Sequence, residues 1–233
     1  MNWMKKVAVA LVCLLPLGLQ AAKIDTLQVK SPSMNKSIEV VVVSPDVAAT
    51  EACPVIYLLH GYGGNARTWV GIKPDLPKIA DEKGVFFVCP DGKNTWYWDS
   101  PLNADVRYET FISDELVKYV DSHYKTVADR KGRAITGLSM GGHGAMWNGL
   151  RHSDVFSAAG STSGGVDIRP FPKNWEMSVQ IGEKAKYPEN WEKYTVINLV
   201  PTLRKDQIAL IFDCGDSDFF LEVNKNYHEA LLK

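Results

Sequence analysis

The sequence predicts an α/β fold, a mostly parallel sheet with helices on both faces, on three observations. Short continuous apolar runs, such as Pro54-Val55-Ile56-Tyr57-Leu58-Leu59 and Val85-Phe86-Phe87-Val88-Cys89, suit strands buried on both faces. Segments whose apolar residues recur at helical spacing lie between such runs. Turn clusters such as Pro90-Asp91-Gly92 stop the runs, and strands that alternate with helices imply a parallel sheet covered on both sides. With 233 residues, 45% of them hydrophobic and 23% charged, the chain has the material for one substantial core.

In chain order, Ile38-Glu39-Val40-Val41-Val42-Val43 is an early strand ended by Ser44-Pro45-Asp46. The two apolar runs follow, with a helix over 76–83 between them. A helix over 110–124 places Phe111, Leu116, Val117 and Val120 on one stripe. Arg133-Ala134-Ile135-Thr136-Gly137-Leu138 is a short strand that runs into a glycine-rich turn. Residues 155–160 and 208–214 supply two more strands, and 220–233 reads as one helix. The segment 164–205 breaks this rhythm, with Trp175, Tyr187, Trp191 and Tyr194 set among charges and prolines. It is expected either as an insertion over the carboxyl edge of the sheet, where ligands bind in open α/β folds, or as a packed excursion with no ligand role.

The first 22 residues stand apart. Lys5 and Lys6 precede an apolar run over 7–19 and then Gln20-Ala21-Ala22, the pattern of a secretory signal peptide cleaved after Ala21 or Ala22. The run is too short for a comfortable membrane span, so no stable membrane insertion is expected after cleavage. The domain at 23–233 is therefore expected in the periplasm or outside the cell. Lys and Arg number 26 against 27 Asp and Glu, so there is no basic excess to replace phosphate counterions and no nucleic-acid partner is expected. Cys53, Cys89 and Cys214 are an odd set, read mainly as free thiols, and no Cys or His spacing suits a metal site.

Three segments carry chemistry. Gly137-Leu138-Ser139-Met140-Gly141 lies between a strand and a helical run, the context in which G-x-S-x-G forms a nucleophile elbow. The turn lifts the Ser139 hydroxyl above the sheet and aims the following helix's N-terminus at developing negative charge. His60-Gly61-Tyr62-Gly63-Gly64 follows a buried strand, where such a site needs a second amide for the oxyanion; Tyr62 N–H is the candidate, with Met140 N–H as its partner. His60 reads as a hydrogen-bonded residue that shapes this loop. Asp213-Cys214-Gly215-Asp216-Ser217-Asp218 follows a late strand, where a carboxylate would hold a catalytic imidazole. Asp216 and Asp218 both qualify, and a turn that starts a helix is the competing reading. Trp96 and Trp98 lie in a polar, aromatic loop after Pro90-Asp91-Gly92 and are expected to face the site and bind substrate by stacking, with packing as the alternative.

The succession HGYGG, PDG, YETFISDEL, GLSMGGHGA and DCGDSDFF resembles the esterase branch of the α/β-hydrolases. That branch includes esterase D (S-formylglutathione hydrolase), feruloyl, acetyl and tributyrin esterases, and mycolyltransferases. The resemblance runs from about Ile38 to the last residue. It implies an α/β-hydrolase fold, Ser139 as nucleophile, Tyr62 and Met140 as oxyanion amides, Asp218 rather than Asp216 as the carboxylate, and no cofactor. The family's histidine follows one more helix and one more strand, whereas only 15 residues follow Asp218. The chain is thus expected to be C-terminally incomplete, without the last strand and helix, and the histidine's position to lie beyond Lys233. Of the histidines present, His228 lies in the last helix, His143 is expected beneath the elbow, and His123 and His152 fall at helix ends. The implied activity is hydrolysis of short acyl or sugar-linked esters through an acyl-enzyme. Acyl transfer from the same site, or a catalytically silent relative, are the alternatives.

Overall fold

The computed structural model describes residues 22–233. The expected leader, apart from its last residue, lies outside the described residues. Among the described residues seven strands form one sheet: β1 (Lys23–Ser31), β2 (Lys36–Ser44), β3 (Val55–Leu59), β4 (Phe86–Pro90), β5 (Arg133–Gly137), β6 (Ala158–Thr162) and β7 (Ala209–Asp213). Their order across the sheet is β1-β2-β4-β3-β5-β6-β7. The β1–β2 and β2–β4 pairs are antiparallel and the remaining four pairs are parallel. The helices are α1 (Thr68–Ile72), α2 (Leu76–Lys83), α3 (Tyr108–Thr110), α4 (Leu116–His123), α5 (Met140–Arg151), α6 (Met177–Ile181), α7 (Pro188–Lys193) and α8 (Leu221–Leu231).

The valine run of β2 shows why the sheet is covered on both sides. Successive strand residues point to opposite faces. Val40 and Val42 enter the larger core, with Tyr57, Leu59 and Ile135, while Val41 and Val43 enter a smaller one with Leu58, Ala80, Phe87 and Cys89. All four valines are inaccessible to solvent. The mostly parallel sheet with helices on both faces is the architecture expected from the sequence.

Three departures have physical causes. β1 is an edge strand whose inward positions are Asp25, Leu27, Val29 and Ser31, so polar residues interrupt the apolar alternation that would have marked it. The strand expected over 155–160 begins at Ala158, because Val155 and Phe156 cap the preceding helix by donating their amides to His152 O. The helix expected over 110–124 starts earlier, at Tyr108, and passes through a π-helical segment, Phe111–Glu115, between α3 and α4. The segment 164–205 is organised by α6, α7 and a 3-10 stretch, Val196–Thr202. It packs on the 92–100 loop that leaves the carboxyl end of β4: Ser100 Oγ donates to Gln180 O at 2.6 Å and Tyr194 Oη to Asp99 O at 3.0 Å.

Candidate active site

The sheet order makes β3 and β5 neighbours, paired from Val55↔Arg133 to Leu59↔Gly137, so their carboxyl ends deliver two loops to one point. Ser139 leaves β5 with φ 56° and ψ −117°, a left-handed conformation uncommon for a residue with a side chain. It is held there: Ser139 N–H donates to Thr162 O at 2.9 Å, Leu138 N–H to Leu59 O at 3.3 Å, and Gly141 N–H to Leu138 O at 2.8 Å. The turn closes only because Gly137 and Gly141 lack side chains. A Cβ on Gly141 would lie 2.1 Å from Leu59 O, and one on Gly137 2.4 Å from the Gly141 backbone. α5 starts at Met140 directly behind the hydroxyl, so its positive end faces Ser139.

The loop from β3 lies against this turn. A Cβ on Gly61 would meet Leu138 Cδ1 at 3.0 Å and Ser139 Cβ at 3.5 Å, which brings the Tyr62 amide into the neighbourhood of the serine. Among the described residues, neither Tyr62 N–H nor Met140 N–H donates to a protein acceptor. Two unpaired amides beside a projecting hydroxyl form an arrangement able to accept an oxyanion. His60 shapes the loop as expected. It is fully buried; its Nδ1–H donates to Gly61 O at 2.7 Å and its Nε2 accepts from Gly92 N–H at 2.9 Å. Both ring nitrogens are occupied, so His60 is not available as a base.

The remaining histidines are engaged elsewhere or exposed. His143 is buried beneath the elbow, edge-on to Trp96 and Trp98 with ring centroids 5.1 and 5.0 Å away, and its Nδ1–H donates to Gly165 O at 2.8 Å. Burial pushes its pKa down to about 4 from the ordinary 6.5, against the opposing pull of the Gly165 hydrogen bond. His152 Nε2 lies 2.8 Å from Glu109 Oε1, His123 bonds to Tyr119 O, and His228 is exposed on α8 beside Phe212. No histidine is hydrogen-bonded to Ser139 or Asp218 among the described residues. Asp218 is half-buried in the loop after β7. Its Oδ1 accepts from Phe220 N–H at 2.7 Å and its N–H donates to Gly215 O at 3.0 Å, the bonds of a turn that starts α8. Asp216 beside it is exposed.

Trp96 and Trp98 require a correction. They were expected to offer stacking faces to substrate, but they are 1% and 0% exposed. They stack on each other at 5.7 Å and pack on His143, and the 164–205 segment covers them, with Trp96 Nε1–H donating to Trp175 O at 3.1 Å. A ring with no free face has nothing to present to a ligand. Aromatic residues left partly open nearby include Trp175, Phe171, Tyr62 and Phe219; Phe171 and Phe219 lie 5.5 and 5.2 Å from Trp175. Two polar residues carried no signal in the sequence: Asn94, whose turn context accounts for an asparagine, and Glu176. Gly63 N–H donates to Asn94 Oδ1 at 2.9 Å, and Asn94 Nδ2 donates to Glu176 Oε2 at 3.3 Å. Among the described residues no group of three or more His, Cys, Asp or Glu is close enough to hold a metal ion, and no helix is long and apolar enough to cross a membrane.

A serine on a strand–turn–helix elbow, facing an earlier glycine-rich loop at the carboxyl edge of this sheet, defines an α/β-hydrolase fold. The chain belongs to the family described as "Putative esterase", whose model matches residues 31–231. An acetyl esterase of Caldicellulosiruptor saccharolyticus is 26% identical over 200 residues, covering 78% of this chain and 72% of that protein. An esterase of Mycobacterium tuberculosis is 32% identical over 123 residues, covering 50% of this chain. That match spans about a quarter (26%) of the mycobacterial protein's length. Among solved structures, a ferulic acid esterase superposes with a TM-score of 0.74 at 28% identity, covering 91% of this chain and 86% of that one. A fluorophosphonate-binding serine hydrolase of Staphylococcus aureus gives 0.79 at 19% identity, with 91% and 87% covered, a likeness of fold.

Proposed function

We propose that this chain is an exported serine carboxylesterase acting on short acyl or sugar-linked esters through an acyl-enzyme on Ser139. The observation that carries the reading is the strained, glycine-enclosed Ser139 beside two unpaired amides, Tyr62 N–H and Met140 N–H. In the proposed reaction, Ser139 Oγ attacks the ester carbonyl and its proton passes to a base. The carbonyl oxygen becomes an oxyanion received by the two amides. Collapse expels the alcohol with a proton, and water then attacks the acyl-enzyme to release the acid. Asp218 is the carboxylate proposed to orient the imidazole that serves as base. The chemistry calls on no metal or organic cofactor. The acetyl and ferulic acid esterases among the similar proteins support short or aromatic acyl groups, and the leader pattern over 1–22 supports export.

That no histidine among the described residues is hydrogen-bonded to Ser139 or Asp218 favours a second reading, a fold that binds esters without turning them over. Hydrolysis of p-nitrophenyl acetate and butyrate by the full chain, with Ser139→Ala alongside, separates the two. The esterase reading predicts turnover that falls by roughly 10⁴-fold or more in the variant. Turnover that survives in Ser139→Ala contradicts it, and absence of turnover by the folded wild type favours the binding reading. Added alcohol or sugar acceptors would divert the acyl group into a new ester if the chain is instead an acyltransferase.

A further inference from the structure

We propose that Asn94 is a positioning residue for the Tyr62 oxyanion amide, and that Glu176, reaching over from the 164–205 segment, sets which way the Asn94 side chain faces. The proposal rests on the esterase reading of Ser139. It starts from how the tip of the β3 loop is held. On the N-terminal side of Tyr62, Gly61 is wedged against Leu138 and Ser139. On its C-terminal side, Gly63 has φ +76° and no atom within 4 Å of where a Cβ would stand, so no packing fixes it. Two hydrogen bonds tie this side down: Gly64 N–H to Gly61 O at 3.0 Å, which closes the turn, and Gly63 N–H to Asn94 Oδ1 at 2.9 Å, the one amide bond among the described residues that links the loop tip to another segment.

The Asn94 amide could face either way, but its neighbours select one orientation. Reversed, it would set its NH₂ against the Gly63 N–H and its oxygen against the Glu176 carboxylate, two repulsive contacts in place of two hydrogen bonds. Glu176 is itself held. It and Trp175 have left-handed backbones, φ 53° and 48°, and Trp175 O accepts from Trp96 Nε1–H. Across the junction Lys93, Trp96 and Tyr97 are left-handed too, with φ 49°, 58° and 60°. Such conformations are costly and persist where surrounding bonds over-determine them, and they cluster at functional sites. The Glu176 carboxylate also lies beside the Tyr62 phenol, whose pKa is raised first by partial burial and then by that carboxylate. The 164–205 segment therefore reaches the oxyanion loop through a short relay, Glu176 to Asn94 to Gly63.

The test uses the full chain and three variants at accessible or half-buried positions: Asn94→Ala, Glu176→Ala and Glu176→Gln. Two quantities are measured, the Gly63 amide exchange rate by NMR and the kcat and KM for p-nitrophenyl acetate. Both alanine variants are expected to speed Gly63 exchange by about tenfold, the scale of one lost hydrogen bond. They are expected to lower kcat by about tenfold with KM within about twofold, a fraction of the effect of losing an oxyanion donor outright. Glu176→Gln keeps an acceptor for the Asn94 NH₂ and is expected to retain wild-type values of both. Unchanged Gly63 exchange in Asn94→Ala overturns the proposal, as does faster exchange with an unaltered kcat. If the wild type has no turnover, the esterase reading fails separately. Phenylboronic acid, whose tetrahedral adduct on Ser139 uses the same amides, then decides the relay: about tenfold weaker binding by Asn94→Ala upholds it and equal binding overturns it.

Discussion

The carboxyl ends of β3 and β5, at the centre of the sheet, are held by atoms from several elements at once. The Ser139 turn touches Leu59 O, Thr162 O and Gly61, and Gly142 of α5 behind it lies against Ser161, so its geometry follows from the packing of β3, β5, β6 and α5 together. The carboxyl end of β7, at the sheet edge, is different. Among the described residues β7 pairs with β6 alone, Ile211 is 76% exposed, and Asp218 is held by bonds within its own turn. A groove of about 840 Å³, lined by Val200, Leu210, Leu231 and others, lies beside that strand. The contrast teaches that the proposed nucleophile and oxyanion amides are set by tertiary packing, whereas the proposed carboxylate is set by local turn chemistry.

The contrast can be broken or sharpened by experiment, starting with the largest effect. Gly141→Ala places a Cβ 2.1 Å from Leu59 O and 2.7 Å from His60 O, both backbone atoms that cannot swing aside. Its expected cost exceeds about 4 kcal/mol in thermal or urea unfolding, and a stable Gly141→Ala protein would show that the central turn is slack. The next effect is a pH dependence from His143, packed under the same turn. The unfolded chain takes up this proton below pH 6.5, whereas the folded chain resists until about 4. Stability therefore falls as pH drops through that window, by roughly 3 kcal/mol in total from this group. Urea unfolding of wild type and His143→Gln between those pH values checks it, since the variant should lack this part of the slope. The smallest effect belongs to the edge. Ile211→Lys is expected to change stability by less than about 0.5 kcal/mol, because the side chain already faces solvent. A loss of several kcal/mol there would mean that the β7 edge is covered in solution.

The same contrast explains what the sequence disclosed. The elbow was legible because its glycines at 137 and 141 are local marks of a tertiary fact, the approach of β3 to the turn. The apolar runs of β3 and β4 were legible because both faces of these strands are buried. Trp96 and Trp98 were not, since an aromatic loop at a carboxyl edge suits either a ligand or a covering segment. The arrival of Trp175 above them decided for packing. Asn94 and Glu176 stand 82 residues apart, and no spacing rule connects two single polar residues across that distance. β1 escaped because half of its inward positions are polar.

The claim that the central turn is a prebuilt acyl-acceptor site is tested most directly by mass spectrometry of the chain after brief reaction with p-nitrophenyl acetate. The account predicts an acetyl group on the peptide that contains Ser139, absent in Ser139→Ala. Acetylation confined to lysines, or equal labelling of the variant, would contradict it.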